Sequence, residues 1–179
     1  IIAQGVEAGG HRGSFNTEDV SRSLVGLFAL LPAVVDAVKV PVVATGGIAD
    51  ARGVAAAVLL GASAVQIGTG LLRTPEAGIA SPWADAIGTA LPEDTVPTRA
   101  FSGRLGRSIR TAYIEAAEKG PIPAPYPIQR NITKAMRASA TDIDRMQAWA
   151  GQSAGLTRAE PAAELISDLW STAKRLLQS

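Results

Sequence analysis

The sequence predicts an α/β fold with a parallel sheet, read as the C-terminal part of a (β/α)8 TIM barrel with a helical C-terminal segment. Three observations lead there. Short β-branched runs ending in glycines, "VPVVATGG" at 40–47 and "SAVQIGTG" at 63–70, are separated by helical text, the pattern of a βαβ unit. Small apolar residues dominate: 47% of the 179 residues are hydrophobic but only 4% aromatic, so closely approaching Ala, Val, Leu and Ile must build the core. Ile1-Ile2-Ala3 enters without turn or cap, as though the chain starts inside a strand. Three strands are evident, near 1–4, 41–45 and 63–67, whereas a closed barrel has eight and typically about 250 residues. The expectation is that the front of the barrel lies outside this sequence, because an apolar strand at Ile1 would otherwise be an unprotected edge.

The elements follow in order. From Thr17 to Val38 the apolar residues Leu24, Leu27, Leu31, Val34 and Val38 recur at intervals of three and four, which predicts helix, with Pro32 marking a break or restart. The strand at 41–45 comes next. Asp50 is placed to cap a helix whose Val54, Ala55, Val58 and Leu59 share a face, and Gly61 ends it. After the strand at 63–67, Thr74-Pro75-Glu76 and Ser81-Pro82 read as cap-then-proline helix starts. Residues 104–119 predict another helix, 120–127 a proline-rich irregular link, 128–139 a further helix, and 160–178 a terminal amphipathic helix from near Pro161. Residues 1–100 are expected to carry the barrel strands and helices, and 101–179 a mainly helical segment over the active-site face.

Composition removes several chemistries. With no cysteine there is no disulfide, thiolate nucleophile or cysteine-bound metal, which agrees with an expected cytoplasmic location. One histidine excludes a multi-histidine metal site within this sequence. No run approaches the roughly 20 apolar residues of a membrane span. A net charge of +1 gives no argument for nucleic acid. Arg99, Arg104, Arg107 and Arg110 form one local basic stretch, read as an exposed helix face.

Each predicted strand ends in a glycine cluster: Gly9-Gly10, Gly46-Gly47 and Gly68-Thr69-Gly70. In a parallel sheet all three lie on the carboxyl edge, where ligands bind. Glycine lets backbone N–H groups approach an anion, and a following helix start adds partial positive charge, so the loops at 46–50 and 68–70 read as a phosphate pocket. A role in turns alone is the alternative. His11 sits just past the first strand end on the same edge. Its ordinary pKa near 6.5 suits proton transfer at neutral pH, against the alternative of a structural hydrogen-bonder. Glu7 either orients His11 or anchors its own loop through backbone amides. Ser14 is a weaker candidate nucleophile, and Glu18 and Asp19 read as helix caps. In "WAGQSAG" (149–155), Trp149 and Gln152 are candidates for a loop folding over a ligand, and Tyr126, between prolines, for a pocket wall.

The segments "GVEAGGHRGSF" (5–15), "VPVVATGGIADARGVAAAVLLGASAVQIGT" (40–69) and "WAGQSAGL" (149–156) resemble the nitronate monooxygenases, formerly 2-nitropropane dioxygenases, which are FMN-dependent TIM-barrel enzymes. The resemblance covers the later part of that barrel. It implies Gln4 and Gly9 beside the flavin and Gly46 and Gly47 at its phosphate, completed by Gln66, Ile67, Gly68 and Thr69, mostly through backbone amides. It implies His11 as the base in the oxidation of alkyl nitronates by O2 to a carbonyl compound and nitrite. The implied partners are the nitronate, O2 and the rest of the same barrel, with a homodimer as the assembly to test and neither nucleic acid nor membrane among them. Flavin-dependent enoyl-acyl-carrier-protein reductases carry a similar "EAGGH" and "GGIAD", and some such barrels reduce quinones, so an NAD(P)H reductase is the alternative. A non-catalytic phosphate-ligand-binding module is the second. The continuation Arg12-Gly13-Ser14-Phe15 is more similar to the monooxygenase branch.

Overall fold

The computed structural model describes residues 1–17 and 19–178, so the expected capping role of Glu18 lies outside the described residues. Among them, six strands form two three-stranded sheets: β1 (Ile2–Gln4), β2 (Gly10–His11), β3 (Val43–Thr45), β4 (Ala64–Gln66), β5 (Thr95–Thr98) and β6 (Gly106–Ile109). The expected strands make the first sheet, parallel in the order β1-β3-β4, with Ala3 opposite Ala44 and Ala44 opposite Val65. Small residues at these positions let helices pack close. Helices α1 (Leu27–Ala37) and α2 (Ala51–Leu59) share the sheet's core, in which Leu31 and Ala44 are wholly buried. Asp50 Oδ1 accepts from Gly53 N at 3.0 Å and caps α2 as its sequence position predicts.

The second sheet is antiparallel in the order β2-β6-β5, with His11 opposite Gly106. It was not expected. All four residues of β6 are buried, so no polar–apolar alternation marks it, and the arginines at 104, 107 and 110 imitate a helical face. The helix predicted over 104–119 is therefore corrected to β6 followed by α4 (Ala112–Glu118), capped by Thr111, with α3 (Ser81–Thr89) earlier in the chain. Arg107 is buried, not on an exposed face: its Nε donates to Val6 O at 3.0 Å, and Nη1 donates to Thr95 O at 3.0 Å and Thr95 Oγ1 at 3.1 Å.

Other boundaries shift for local reasons. The helix expected from Thr17 starts only at Leu27, because Glu7 accepts from the Leu27 amide at 3.0 and 3.1 Å and fixes the start there. A 3-10 turn at Ser21–Ser23 precedes it, and Asp19 accepts from Ser21 there rather than capping an α-helix. Pro32 lies inside α1 and neither breaks nor restarts it. Thr74-Pro75 opens a 3-10 turn only, Pro75–Ala77. The predicted helix at 128–139 is two short ones, α5 (Ile128–Ile132) and α6 (Lys134–Ala138), divided at Thr133. The terminal helix α7 (Ala162–Gln178) buries Leu165, Leu169 and Ala173 at spacings of four, and Ala173 joins the core beside α2. No helix is long and apolar enough to cross a membrane among the described residues.

Candidate functional site

A cavity of about 550 Å³ opens at the carboxyl edge of the parallel sheet, within the range of small-molecule sites. It brings together Gln4, Gly9, Gly46, Gly47, Gln66, Gly68 and Thr69 from turns far apart in sequence. Ile67 is not in its lining; its side chain packs on the sheet's core and against Gly70.

The glycines there answer different needs. Gly46 and Gly47 have φ of 106° and 71°, left-handed values that a side chain resists, so the turn itself requires them. Gly9 is needed by packing: a Cβ would stand 2.6 Å from Gly151 N and 2.9 Å from Thr69 Oγ1. Gly68 differs from all three. Its φ is −99° and a Cβ would meet nothing within 4 Å, so the fold gives no reason for glycine there. It lines the cavity and precedes the 3-10 turn Thr69–Leu71, whose first amides lack partners inside the turn. A group entering the cavity can approach that backbone closely.

His11 is on β2, and its carbonyl accepts from Gln4 Nε2 at 3.1 Å, so it adjoins the cavity wall. Its ring lies elsewhere: it is not in the cavity lining, but packs 5.2 Å from the Trp149 ring and 6.1 Å from that of Tyr126. Tyr126 and Trp149 thus converge on the imidazole. Gln152 does not; it borders a second recess with Glu7 and Gly47, and its amide donates to Glu7 O at 2.9 Å. The Glu7 carboxylate serves α1, which settles the sequence alternatives in favour of loop anchoring. Burial holds the His11 pKa below its usual 6.5, and the positive charges of Arg104 and Arg130 add to the effect. The ring is therefore neutral at pH 7.

Two residues that bond to predicted site residues were given no role by the sequence reading. Ser102, wholly buried, places Oγ 2.7 Å from His11 Nε2. Arg12, also buried, donates to Gly5 O at 2.7 Å and bonds Gln4 through both its carbonyl and side-chain oxygens. Arg12 and Arg107 together grip three successive carbonyls, 4–6, at the end of β1. Arg12 entered only as part of a motif, and a serine in an arginine-rich turn carries no distinguishing signal; only the tertiary pairing reveals their contacts.

Fold and cavity define an α/β protein with a ligand-sized recess at the carboxyl edge of a parallel sheet and a half-buried imidazole beside it. The family model described as nitronate monooxygenase matches residues 1–172, and the chain belongs to that family. It is 41% identical over 183 residues to a Staphylococcus aureus (strain MSSA476) protein named as a probable nitronate monooxygenase, covering 99% of this chain and 51% of the relative. A solved structure of nitroalkane oxidase from Streptomyces ansochromogenes superposes with a TM-score of 0.90 at 39% identity, over 99% of this chain and 53% of that one. FabK from Thermotoga maritima gives 0.81 at 33% identity, over 99% and 55%. The chain spans about half the length of the curated relatives it matches.

Proposed function

We propose that this chain is the C-terminal part of an FMN-dependent (β/α)8 barrel that oxidises alkyl nitronates with O2 to a carbonyl compound and nitrite. The observation that carries the reading is the shared edge: the glycine turns at 46 and 68 bound one cavity, and the His11 backbone adjoins its Gln4 wall. The open side of Gly68 fits a phosphate or ring system approaching the backbone, and Gln4, Gly9, Gly46, Gly47, Gln66, Gly68 and Thr69 would hold it, with Ile67 contributing only its backbone. FMN, when bound, supplies the electron acceptor.

The chain's own residues supply the rest. His11, neutral at pH 7, accepts a carbon-bound proton from a nitroalkane or orients its nitronate. The positive charges of Arg104 and Arg130 that disfavour imidazolium also favour an anionic reactant beside the ring. Trp149 and Tyr126 shield it from water on two sides. The similarity to FabK keeps the NAD(P)H reductase as the second reading. In the full-length protein, His11→Asn is expected to retain bound FMN while nitronate turnover falls about 10²–10⁴-fold. Undiminished turnover would remove His11 from the chemistry. NADH oxidation with an enoyl thioester or quinone outpacing nitronate-dependent oxygen uptake would favour the reductase.

A further inference from the structure

We propose that Ser102 fixes the tautomer of His11: its hydroxyl oxygen accepts the Nε2–H, leaving Nδ1 as the nitrogen that takes up the proton. Ser102 is a positioning residue in this account. The role given to Nδ1 rests on the reading of His11 as a base; the tautomer itself does not.

Ser102 Oγ has three polar neighbours: the Arg104 carbonyl at 3.1 Å, the Arg104 amide at 3.3 Å and His11 Nε2 at 2.7 Å. A hydroxyl has one proton and two lone pairs. The carbonyl can only accept and the amide can only donate, so the serine proton goes to Arg104 O and one lone pair receives Arg104 N–H. The lone pair that remains meets Nε2, which must then carry hydrogen. The reverse arrangement, serine donating to the ring, would take its proton away from a carbonyl in the same turn. His11 Nδ1 makes no hydrogen bond among the described residues, so nothing competes for its lone pair.

The turn is built to hold this hydroxyl still. Ala100 O accepts from Gln129 Nε2 at 2.8 Å and Tyr113 OH at 3.3 Å, and Phe101 O accepts from Thr133 Oγ1 at 2.6 Å. Gly103 has φ of 81°, its amide donates to Arg99 O at 2.8 Å, and a Cβ there would collide with the Ala124 carbonyl oxygen. The imidazole is confined by Trp149 and Tyr126, with Arg104 and Arg130 as the charged groups that act on it. Neither partner can turn away without breaking several contacts.

Nitrogen NMR on the ¹⁵N-histidine-labelled, FMN-loaded full-length protein tests this, the His11 ring being assigned by its disappearance in His11→Asn. The expected wild-type spectrum above the pKa has a pyrrole-type Nε2 and a pyridine-type Nδ1. A pyridine-type Nε2 overturns the proposal, and that result needs no Ser102 variant to fold. Ser102→Ala is expected to lose the single tautomer, and Ser102→Thr, which keeps the hydroxyl, to retain it; an unchanged Ser102→Ala spectrum also overturns it. In Ser102→Ala the acidic limb of kcat/KM should move to lower pH, because an acceptor favouring the imidazolium is gone, and turnover should fall about 10–100-fold by analogy with partners that orient metal-bound imidazoles. Movement to higher pH would mean that serine donates to the ring, contrary to the proposal. If the wild-type tautomer is as stated but His11→Asn turns over normally, the tautomer stands and the reading of His11 as the base fails.

Discussion

His11 occupies surroundings that oppose its charge, and the sign of the pH response follows. Burial, Arg104 and Arg130 lower its pKa below 6.5, so the basic form persists above that pH and is lost only as pH falls through the depressed value. The kcat/KM for a neutral nitroalkane should be flat above pH 6.5 and decline below it; a limb centred above 6.5 would contradict the assignment. Stability moves the same way, since below 6.5 the unfolded chain takes up a proton that the folded ring resists. The urea midpoint should fall less between pH 7 and pH 5 in His11→Asn than in wild type. Gly68 offers a second residue-level test. With no internal reason for glycine there, Gly68→Ala should leave urea stability unchanged or raised by about 0.4–1 kcal/mol while weakening FMN at least about tenfold, near 1.4 kcal/mol. Gly9→Ala, whose Cβ would press on Gly151 and Thr69, should instead destabilise by about 1–3 kcal/mol. Unaltered FMN affinity in Gly68→Ala would reduce that glycine to a spacer.

At the level of elements, the parallel sheet was legible because β-branched runs ending in glycine have few other structural uses. The antiparallel sheet was not, for a physical reason. β2 is two residues long, too short for any periodicity, and β6 is Gly-Arg-Ser-Ile, whose buried arginine is satisfied by carbonyls that no local pattern announces. The helix at 17–38 was misplaced because its apolar spacing extends upstream of Leu27, whereas the true start is set by a carboxylate twenty residues earlier. The site divides likewise: the glycine turns and the imidazole could be read, the serine facing that imidazole could not. The buried guanidinium of Arg107 ties the two sheets, so Arg107→Met should cost about 1–3 kcal/mol by stranding the carbonyls of Val6 and Thr95. Urea titration measures this, and a cost below 0.5 kcal/mol, the usual ceiling for surface changes, would show that those carbonyls find other partners.

Across the whole molecule, β1 and β4 are the outer strands of a three-stranded sheet, and Ile1 and Ile2 on β1's side are 59% and 58% exposed. Every strand of a closed barrel has two neighbours, which accords with a chain spanning about half of its relatives. Produced as these 179 residues alone, the protein is expected to associate with increasing concentration in size-exclusion chromatography, and Ile2→Lys to suppress this by charging the edge. A concentration-independent monomer would count against reading those edges as pairing surfaces. The stitching of the rim has a separate consequence. Gly151 donates its amide to Thr69 Oγ1 at 2.9 Å and Gln152 donates to Glu7 O, so one short stretch clamps the turns after β1 and β4 to each other. Their spacing is set before any guest arrives, little ordering entropy is left for association to overcome, and amide exchange at Gly151 and Gln152 should be slow even in the cofactor-free state.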